Sequence, residues 1–469
     1  MHFNIKNFLR KKEVDFKSDF ITQGYNPEAS YSRKPYMPTW EIYDGEKTFG
    51  ELGRPINYQA DFRSLTIRSW QSFYESDITQ IGVKNYLYWV VGSGLKLESK
   101  PVAKFIKRFD SGFDRDEFVD DVEMLWDLYA EDKRVSHNQM QDLYQISWEV
   151  KMNSIIGGDC LVVMRYENDN PTIQVVDGLH VLTPSSGNWE ASAKARGNRI
   201  KHGVELDKRD THVAYYVHEG NGKFKRILAR HPKTKRPVSW LVYGQKYRSN
   251  DVRGMSLFAV ILESLKKLDR YKEASISSAE ERAKLVYSIE HTKDSTGENP
   301  LGRSVAQSIA ARQPNKEETE KYPGDEQATK LAMTTGNTVI NNPIGASLKA
   351  LKSESESQFS DFFTPNFDII CASLGIPPEV ALSKYDSNYS ASRMAVKTWE
   401  HKVKVTRTQY SKQFHKPIYS FWLEMNILKG LLIANGYITA RLNGNYIILN
   451  AFSKCAFEGV NMPQVDPVK

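Results

Sequence analysis

The hydrophobic period of this 469-residue chain switches twice, and each switch limits what the residues on either side can build. Across Phe62 to Val90 the apolar residues Phe62, Leu65, Ile67, Phe73, Ile78, Ile81, Tyr86 and Val90 approximate helical spacing, and Gly92 and Gly94 stop the pattern. One or two helices closing at Val91-Gly92 are expected. Phe118 to Tyr129 and Leu143 to Ile156 repeat the signature, with Val122, Leu125 and Trp126, then Ile146, Val150 and Ile155, on the buried side. Gly157-Gly158 ends it. From Cys160 to Trp240 the runs LVVMRY, TIQVVD, HVAYYV and VSWLVY are short, β-branched and aromatic, with turn-forming residues between them, which predicts a β-rich sub-domain. Its loops carry Lys194, Arg196, Arg199, Lys223, Lys225, Arg226, Lys233, Lys235 and Arg236. No aromatic is interleaved with these cations, so they read as a solvated surface rather than a nucleic-acid site.

Beyond Arg253-Gly254 the helical period returns in Phe258, Ile261, Leu262, Leu265, Leu268, Tyr271 and Ala274. A continuous helix from Leu257 to Lys284 would be about 42 Å long, a rod that seldom stays inside one globule. Lys293 to Thr338 follows, polar and poor in large apolar residues, with a short strand candidate over Asn337 to Ile340. A tip with so little core of its own leans on copies of itself or on a partner. Ser355 to Ser373 then reads as a second helix whose packing residues are Phe359, Phe362, Phe363, Phe367 and Ile370. The order is globule, rod, polar tip, rod, loop, basic helix, globule. Residues 1–50 lack sustained periodicity and read as an extended arm that needs a partner surface to become ordered.

The loop is the stretch Leu374 to Ala395, LGIPPEVALSKYDSNYSASRMA, where Gly-Ile-Pro-Pro ends one helix and a polar, aromatic-bearing segment opens another. Such a segment is displayed rather than buried. From Lys384 to Lys416 the cations Lys384, Arg393, Lys397, Lys402, Lys404, Arg407, Lys412 and Lys416 face only Asp386 and Glu400. That imbalance predicts either an anionic partner or a solvated face.

Composition narrows the choice of partner. Lys and Arg total 64 against 57 Asp and Glu, a net charge of +7 that is a mild bias for this length and not the mark of a dedicated nucleic-acid binder. Cys160, Cys371 and Cys455 are far apart among apolar neighbours and read as buried thiols from a reducing compartment. The N-terminus lacks the apolar core of a secretory signal, and the longest apolar run, Tyr86 to Val91, is too short for a bilayer, so a soluble protein is expected. Gly220-Asn221-Gly222-Lys223 has neither the spacing nor the hydroxyl of a phosphate-cradling loop and reads as a hairpin turn. The ten histidines make no metal-spaced pair, and Gly254-Met255-Ser256 does not extend to a nucleophile elbow. Asp120-Asp121-Glu123 and Glu280-Glu281 are acids on helices, ordinarily just solvated. Tyr86-Leu87-Tyr88-Trp89, Trp399 and Trp422 read as core. Neither catalysis nor a cofactor is indicated.

Taken in order, several motifs resemble the lambda-type branch of the bacteriophage portal proteins. IGVKNYLYWVVGSGLKL (Ile81 to Leu97) resembles that family's N-terminal helix ending in a V-G-x-G turn. GVELD with VAYYV (Gly203 to Asp207, Val213 to Val217) resembles its paired β segment. NDVRGMSLF (Asn250 to Phe258) is similar to its Q-x-R-G lead-in to the long helix, with Asp251 where Gln is usual. FSDFFTPNFDIICASLGIPPEVALSKYDSNYSASRMA is similar to its F-x-x-F, L-G-I/V-P and N-Y-S-S/A-x-R series, and Val465 to Lys469 to its D-P-x-K. The family usually continues past D-P-x-K into a further helix, whereas Lys469 is the last residue here.

The resemblance implies an α+β, ring-forming portal fold with a mixed α/β wing, a long helical stem, a small α/β clip and a tunnel loop. Carried onto this chain it gives an N-terminal arm over 1–50, a wing over 51–255, stem helices over 256–284 and 353–375, and a clip over 285–352. The tunnel loop falls at 376–390, a tunnel-side helix of the wing at 391–430 and a C-terminal wing or crown segment at 431–469. The implied DNA-facing residues are Ser383, Lys384, Tyr385, Asp386, Ser387, Asn388, Tyr389, Ser390 and Arg393. For Arg393 an ion pair within or between subunits is as good a reading as DNA. The implied partners are copies of itself in a homo-oligomer, typically a dodecamer, double-stranded DNA, the terminase large subunit, the major capsid protein and head-tail adaptor proteins. No membrane, cofactor or metal is implied. The implied location is the capsid portal vertex of the virion, after assembly in the host cytoplasm. A head-tail adaptor or tail-associated component is the alternative and should lack long paired rods. A DNA-processing enzyme using Asp120 or Asp121 ranks last.

Overall fold

The computed structural model describes residues 62–167, 169–184, 187–249, 251–289, 329–333, 337–341, 355–385 and 389–459. The expected arm, most of the polar tip, Asp386, Ser387 and Asn388 of the loop, and the Val465–Lys469 motif lie outside them. Two compact units are present: one comprises the chain up to Lys266 together with Phe367 onward, the other Lys267–Asn366.

In the first unit, α1 (Phe62–Glu75) and α2 (Asp77–Tyr86) lead into a π-helical turn, Leu87–Val91, and then β1 (Lys96–Ser99). Helix α3 (Arg115–Glu131) starts where the Asp114 carboxylate accepts the Asp116 and Glu117 amides. Helix α4 (Leu143–Gly157) begins with a capping box between Asp142 and Gln145 and is buried along most of its length. It stops at Gly158, whose φ of +94° is open to glycine and whose Cβ position lies 2.7 Å from the Gly254 carbonyl. Two antiparallel sheets follow. The first has the order β3-β2-β8, from β2 (Asp159–Glu167), β3 (Asn170–Asp177) and β8 (Ser239–Tyr243). The second runs β4-β5-β6-β7, from β4 (Arg199–Lys201), β5 (Val204–Leu206), β6 (His212–Gly220) and β7 (Lys223–Leu228). Leu161, Leu241, Val204, Leu206 and Tyr215 pack together in one core drawn from both sheets. Strand β2 also lies against α4, so its first six residues are all buried, which is why it reads as a continuous apolar run rather than an alternation.

A buried ion pair holds the turns around these sheets. Arg253 donates from Nε and Nη2 to the two Asp159 carboxylate oxygens at 2.7 and 2.6 Å, from Nη2 to the Gly178 carbonyl, and from Nη1 to the carbonyls of Val181 and His202. All five guanidinium protons have an acceptor, which satisfies a buried cation that would otherwise be costly. The Gly254 amide adds a 2.8 Å bond to Asp159. This is the structural meaning of the Arg-Gly pair ahead of the long helix. A second buried charge is Glu205, wholly inaccessible and bonded by Arg226, Arg196, Asn198 and Tyr216. Burial opposes its charge, but the bonds from Arg226, Arg196, Asn198 and Tyr216 outweigh it and hold the carboxyl down at about 2. The solvated reading of the loop cations is thus corrected for Arg196 and Arg226. It is also corrected for Arg236, which lies 3.9 Å over the Phe421 ring and pairs with Glu424.

Helix α5 spans Leu262–Lys284, about 34 Å, rather than starting at Leu257. The Ser256 hydroxyl accepts the Phe258 amide, and residues 256–261 form turns that bury Phe258 and Ile261. The second unit holds most of α5 and a three-stranded sheet of β9 (Leu285–Ile289), β10 (Thr329–Met333) and β11 (Asn337–Asn341), in the order β10-β11-β9 with β11 and β9 parallel. The expected strand at Asn337 is β11. Helix α6 (Ser355–Leu374) matches the second rod, and in this unit Tyr271 packs on Phe359 and on Phe362, 4.3 Å away between ring centroids. Phe362 keeps 44% of its surface exposed, so it is a contact of the paired helices but not the core residue expected.

The chain re-enters the first unit at Phe367 and continues through α7 (Pro378–Leu382), α8 (Tyr389–Gln413) and α9 (His415–Leu428). Short helices α10 (Tyr437–Leu442) and α11 (Tyr446–Phe452) precede β12 (Cys455–Glu458), which pairs antiparallel with β1. Trp126, Tyr419, Trp422 and Phe457 form an edge-to-face aromatic cluster under that pairing. Trp399 and Trp422 are core, whereas Tyr88 is 64% exposed against Trp148. Cys160 and Cys371 are buried thiols, but Cys455, at the start of β12, is only half-buried.

His415, against Ser147, Tyr410 and Phe457, is fully enclosed, and burial pushes its imidazole down to about 3. The unfolded chain therefore binds a proton near its ordinary value of 6.5 that the folded chain refuses, so stability falls as pH drops below 6.5. At pH 5 this costs about 2 kcal/mol. Melting temperature measured from pH 7.5 to 5 should fall, with a shallower slope in His415→Gln.

Candidate functional site

The displayed loop starts from a helix end fixed on three sides. Helix α6 closes in a paired turn: the Gly375 amide donates to Ala372 and the Ile376 amide to Cys371. Gly375 has φ +67°, the left-handed conformation this closure requires. Two other elements then converge on the last helical carbonyl. Tyr86 Oη, from the end of α2, and Lys402 Nζ, from the middle of α8, each donate to Leu374 O at 2.6 Å. One carbonyl has two lone pairs, and both are used. The ammonium also sits at the negative end of the α6 dipole. Burial pushes the Lys402 amine down and the Tyr86 phenol up, so the phenol remains a donor. Trp399 closes over Tyr86 edge to face at 5.4 Å between centroids. A Cβ at residue 375 would lie 1.7 Å from Lys402 Nζ, so the conformation favours glycine and any side chain there would push the ammonium off its carbonyl.

From this anchor the chain turns outward. Ile376 is buried at 1% exposure, Pro377 precedes α7, and Pro378 fills its first turn where no amide partner is needed. The sequence reading missed α7, a single helical turn with no room for a periodic pattern. Ser383 caps it in a left-handed conformation, φ +53°, and the Lys384 amide returns to the Glu379 carbonyl at 3.0 Å. Ser383, Lys384 and Tyr385 are exposed, as are Ser390 and Arg393 in the first turns of α8. Tyr389 is the first residue of α8. Of the predicted loop set, Ser383, Lys384 and Tyr385 thus lie at the exposed turn after α7, and Tyr389, Ser390 and Arg393 in the first turns of α8, all within the first unit.

The sequence from Phe62 through this loop and most of α8 lies inside one family match. The family described as phage portal protein, lambda family, matches residues 54–407. This chain is a member of it. Portal family membership covers both sheets, the anchored loop and α8 up to Arg407. No curated protein matches the sequence. Among solved structures, a chain from the neck of a native GTA particle, computed with C12 symmetry, is 13% identical, covering 78% of this chain and 81% of its own, at a TM-score of 0.38. A chain from the virion of a native gene transfer agent particle is 12% identical, covering 88% and 92%, at a TM-score of 0.42.

The basic face of α8 divides in two. Lys397 and Lys404 pair with Glu400 at 3.1 and 3.0 Å on the helix itself. Lys402 serves Leu374, and Arg407 donates to the carbonyls of Trp89 and Val90, closing the π-helical turn that follows α2 as Lys402 closes α6. An excess of cations over acids therefore does not measure charge available to an outside anion. Carbonyls at helix ends accept two of these cations, a use that a count of charged residues cannot register. Among the expected core residues, Tyr86 and Trp399 turn out to be parts of the anchor. The helix-ending Gly375 was the one signal in the sequence that pointed there.

Gly375→Ala should lose the left-handed turn at about 1–2 kcal/mol and displace Lys402 from a charge-assisted bond worth roughly 2 kcal/mol. Lys402→Met should lose only the second part. Native-state hydrogen exchange over Ile376–Tyr385 reads both, and unchanged protection in Gly375→Ala would contradict the anchor.

Proposed function

We propose that this portal-family chain is the subunit of a closed ring at one capsid vertex, where it passes double-stranded DNA and serves as a docking platform. In this reading residues 51–255 form the wing, 256–284 and 353–375 the stem, 285–352 the clip, and 376–390 the tunnel loop. Residues 391–430 are then the tunnel-side helix, and 431–469 a C-terminal wing or crown segment. A dodecamer is the subunit number the family suggests. The terminase large subunit, the major capsid protein and head-tail adaptors are the partners, and the site of action is the virion after cytoplasmic assembly. The role is structural rather than enzymatic.

The observation that carries the reading is the loop anchored at Leu374 inside the family match. A channel that lets DNA slide needs few and scattered phosphate contacts, because each one adds affinity and salt dependence. Ser383, Lys384, Tyr385, Ser390 and Arg393 offer hydroxyls and two cations on a stiff base. Asp386, Ser387, Asn388 and Tyr389 complete the proposed tunnel set. Reading of base edges is not required of such a wall.

Negative-stain or cryogenic electron microscopy of the purified protein should give a ring with a central hole, and mass photometry a single high oligomer. A monomer under all conditions would sink the reading. Lys384→Ala with Arg393→Ala should leave ring formation intact and reduce DNA packaging or retention. If the rings fail to form instead, these side chains are interface groups and not tunnel contacts.

A further inference from the structure

Two guanidiniums share one carboxylate where the β7–β8 hairpin meets the C-terminal helices. Arg236, from the hairpin, and Arg441, from the last turn of α10, both approach Oε1 of Glu424 on α9, at 3.5 and 3.4 Å. A charge-assisted N–H···O bond is about 2.7–2.9 Å long, so neither contact is a hydrogen bond. The side chains of Arg236, Arg441 and Glu424 are 17%, 20% and 8% exposed, so the group is mostly buried yet reachable from solvent.

Arg253 places all five of its N–H groups on acceptors within the chain. Arg236 and Arg441 hold ten between them, and among the described residues the one hydrogen bond they make runs from Arg236 Nη1 to Met425 Sδ at 3.9 Å. The Nε of each is buried with no acceptor, a costly state for a donor on a cation. Charge is unbalanced too. Glu424 is the one acidic residue in Ala229–Val238 and Phe421–Arg441, the segments that build the group. Burial pushes the Arg236 guanidinium down, and the attraction of Glu424 only partly opposes it.

The arrangement is held from below. The Arg236 carbonyl accepts the His231 amide at 2.8 Å, Arg230 bridges to Pro237 across the hairpin, and the Arg236 guanidinium stacks 3.9 Å over the Phe421 ring. A donor set fixed in this way and short of acceptors is built to receive an oxyanion. We propose that Arg236 and Arg441 form a binding site for one phosphate group, whose oxygens accept from the Nε and Nη protons of both. A carboxylate has two oxygens in one plane and suits a single guanidinium fork, whereas phosphate oxygens spread over two. A singly charged phosphate also neutralises the surplus left by two guanidiniums and one carboxylate. Lys233 and Lys235, exposed on the same hairpin, add a field that draws an anion in. The source is inorganic phosphate or a nucleic-acid backbone. The site needs no ring, so it stands or fails apart from the proposed function.

Calorimetric titration of the full-length protein with sodium phosphate, at constant ionic strength in chloride, should show one saturable site per chain. Arg441→Gln and, separately, Arg236→Gln should weaken it about tenfold or more, with circular dichroism unchanged. Glu424→Gln removes the competing carboxylate and should tighten it, a change of sign that a merely loosened fold does not produce. Lys233→Ala with Lys235→Ala should keep the site. Absence of saturable binding, or binding indifferent to Arg441→Gln, would overturn the proposal, and so would acetate binding as tightly as phosphate. Displacement of phosphate by a short DNA duplex assigns the backbone as the source, and failure to displace it assigns the free ion.

Discussion

The carbonyl oxygen of Leu374 is the point through which α2, α6 and α8 are tied together. An uncapped helix end would leave its last carbonyls to water, and the chain beyond it would leave at a variable angle. Here Tyr86 and Lys402 each donate to the same oxygen, and Gly375 makes room for the lysine. The position of Ile376 is thereby set by groups more than two hundred residues earlier and by α8 on the far side of the loop. The outward turn at Ser383 to Tyr385 has a fixed base, so any freedom it has lies beyond Pro377. Arg407 repeats the device at the π-helical turn Leu87–Val91 that follows α2. Two cations on one helix thus lock the ends of two others, and register between them is maintained by spacing along α8.

Arg253 does the same for the β-rich region. Its contacts run to β2, to the turn after β3 and to the turn before β5, so one side chain joins parts of both sheets. The close approach of Gly158 and Gly254 leaves no space for side chains at that junction. A buried pair of this kind contributes specificity of geometry more surely than net stability, since the desolvation of both charges offsets much of their attraction. Its place just before α5 is significant, because the residues that lead into the long helix are the ones it holds.

Period and punctuation carried a large part of this fold in the sequence. Helices α1 to α4, the strands of the first sheet, β6, β11 and α6 follow from spacing of apolar residues and the glycines that end them. Shorter elements did not. Helix α7 and strand β4 span one turn or three residues, too little for a period, and tertiary contacts and caps hold them. Strand β5, equally short, was anticipated only through the resemblance of GVELD and VAYYV to a paired β segment, and it does pair with β6. The start of α5 was misplaced because Phe258 and Ile261 bury themselves in turns as effectively as they would in a helix. At the loop, Ser383, Lys384 and Tyr385 were legible as exposed polar residues after a Pro-Pro break. The anchor beneath them was not, because Lys402 reads as one more surface cation until the carbonyl it serves is placed.

That reassignment changes the electrostatics expected of the loop region. Counted along the sequence, Lys384 to Lys416 is strongly basic, and a surface bearing all of it would grip a polyanion tightly. Within the structure Lys397, Lys402, Lys404 and Arg407 are committed to Glu400 or to backbone carbonyls of the same chain. Lys402 and Arg407 are half-buried, and burial makes their ionised forms harder, not easier, to maintain. Lys384, Arg393, Lys397, Lys404, Lys412 and Lys416 stay exposed, with Lys397 and Lys404 sharing the one carboxylate of Glu400, so the outward charge is reduced chiefly by the two half-buried cations. In a ring each loop cation recurs once per subunit, so even a single exposed lysine becomes a circle of charge. A wall with few cations per subunit can centre DNA by many weak contacts, whereas the full basic face repeated around a ring would hold it in place. On the proposed reading, the internal use of Lys402 and Arg407 removes two cations per subunit from such a wall, while their established role is to close helix ends.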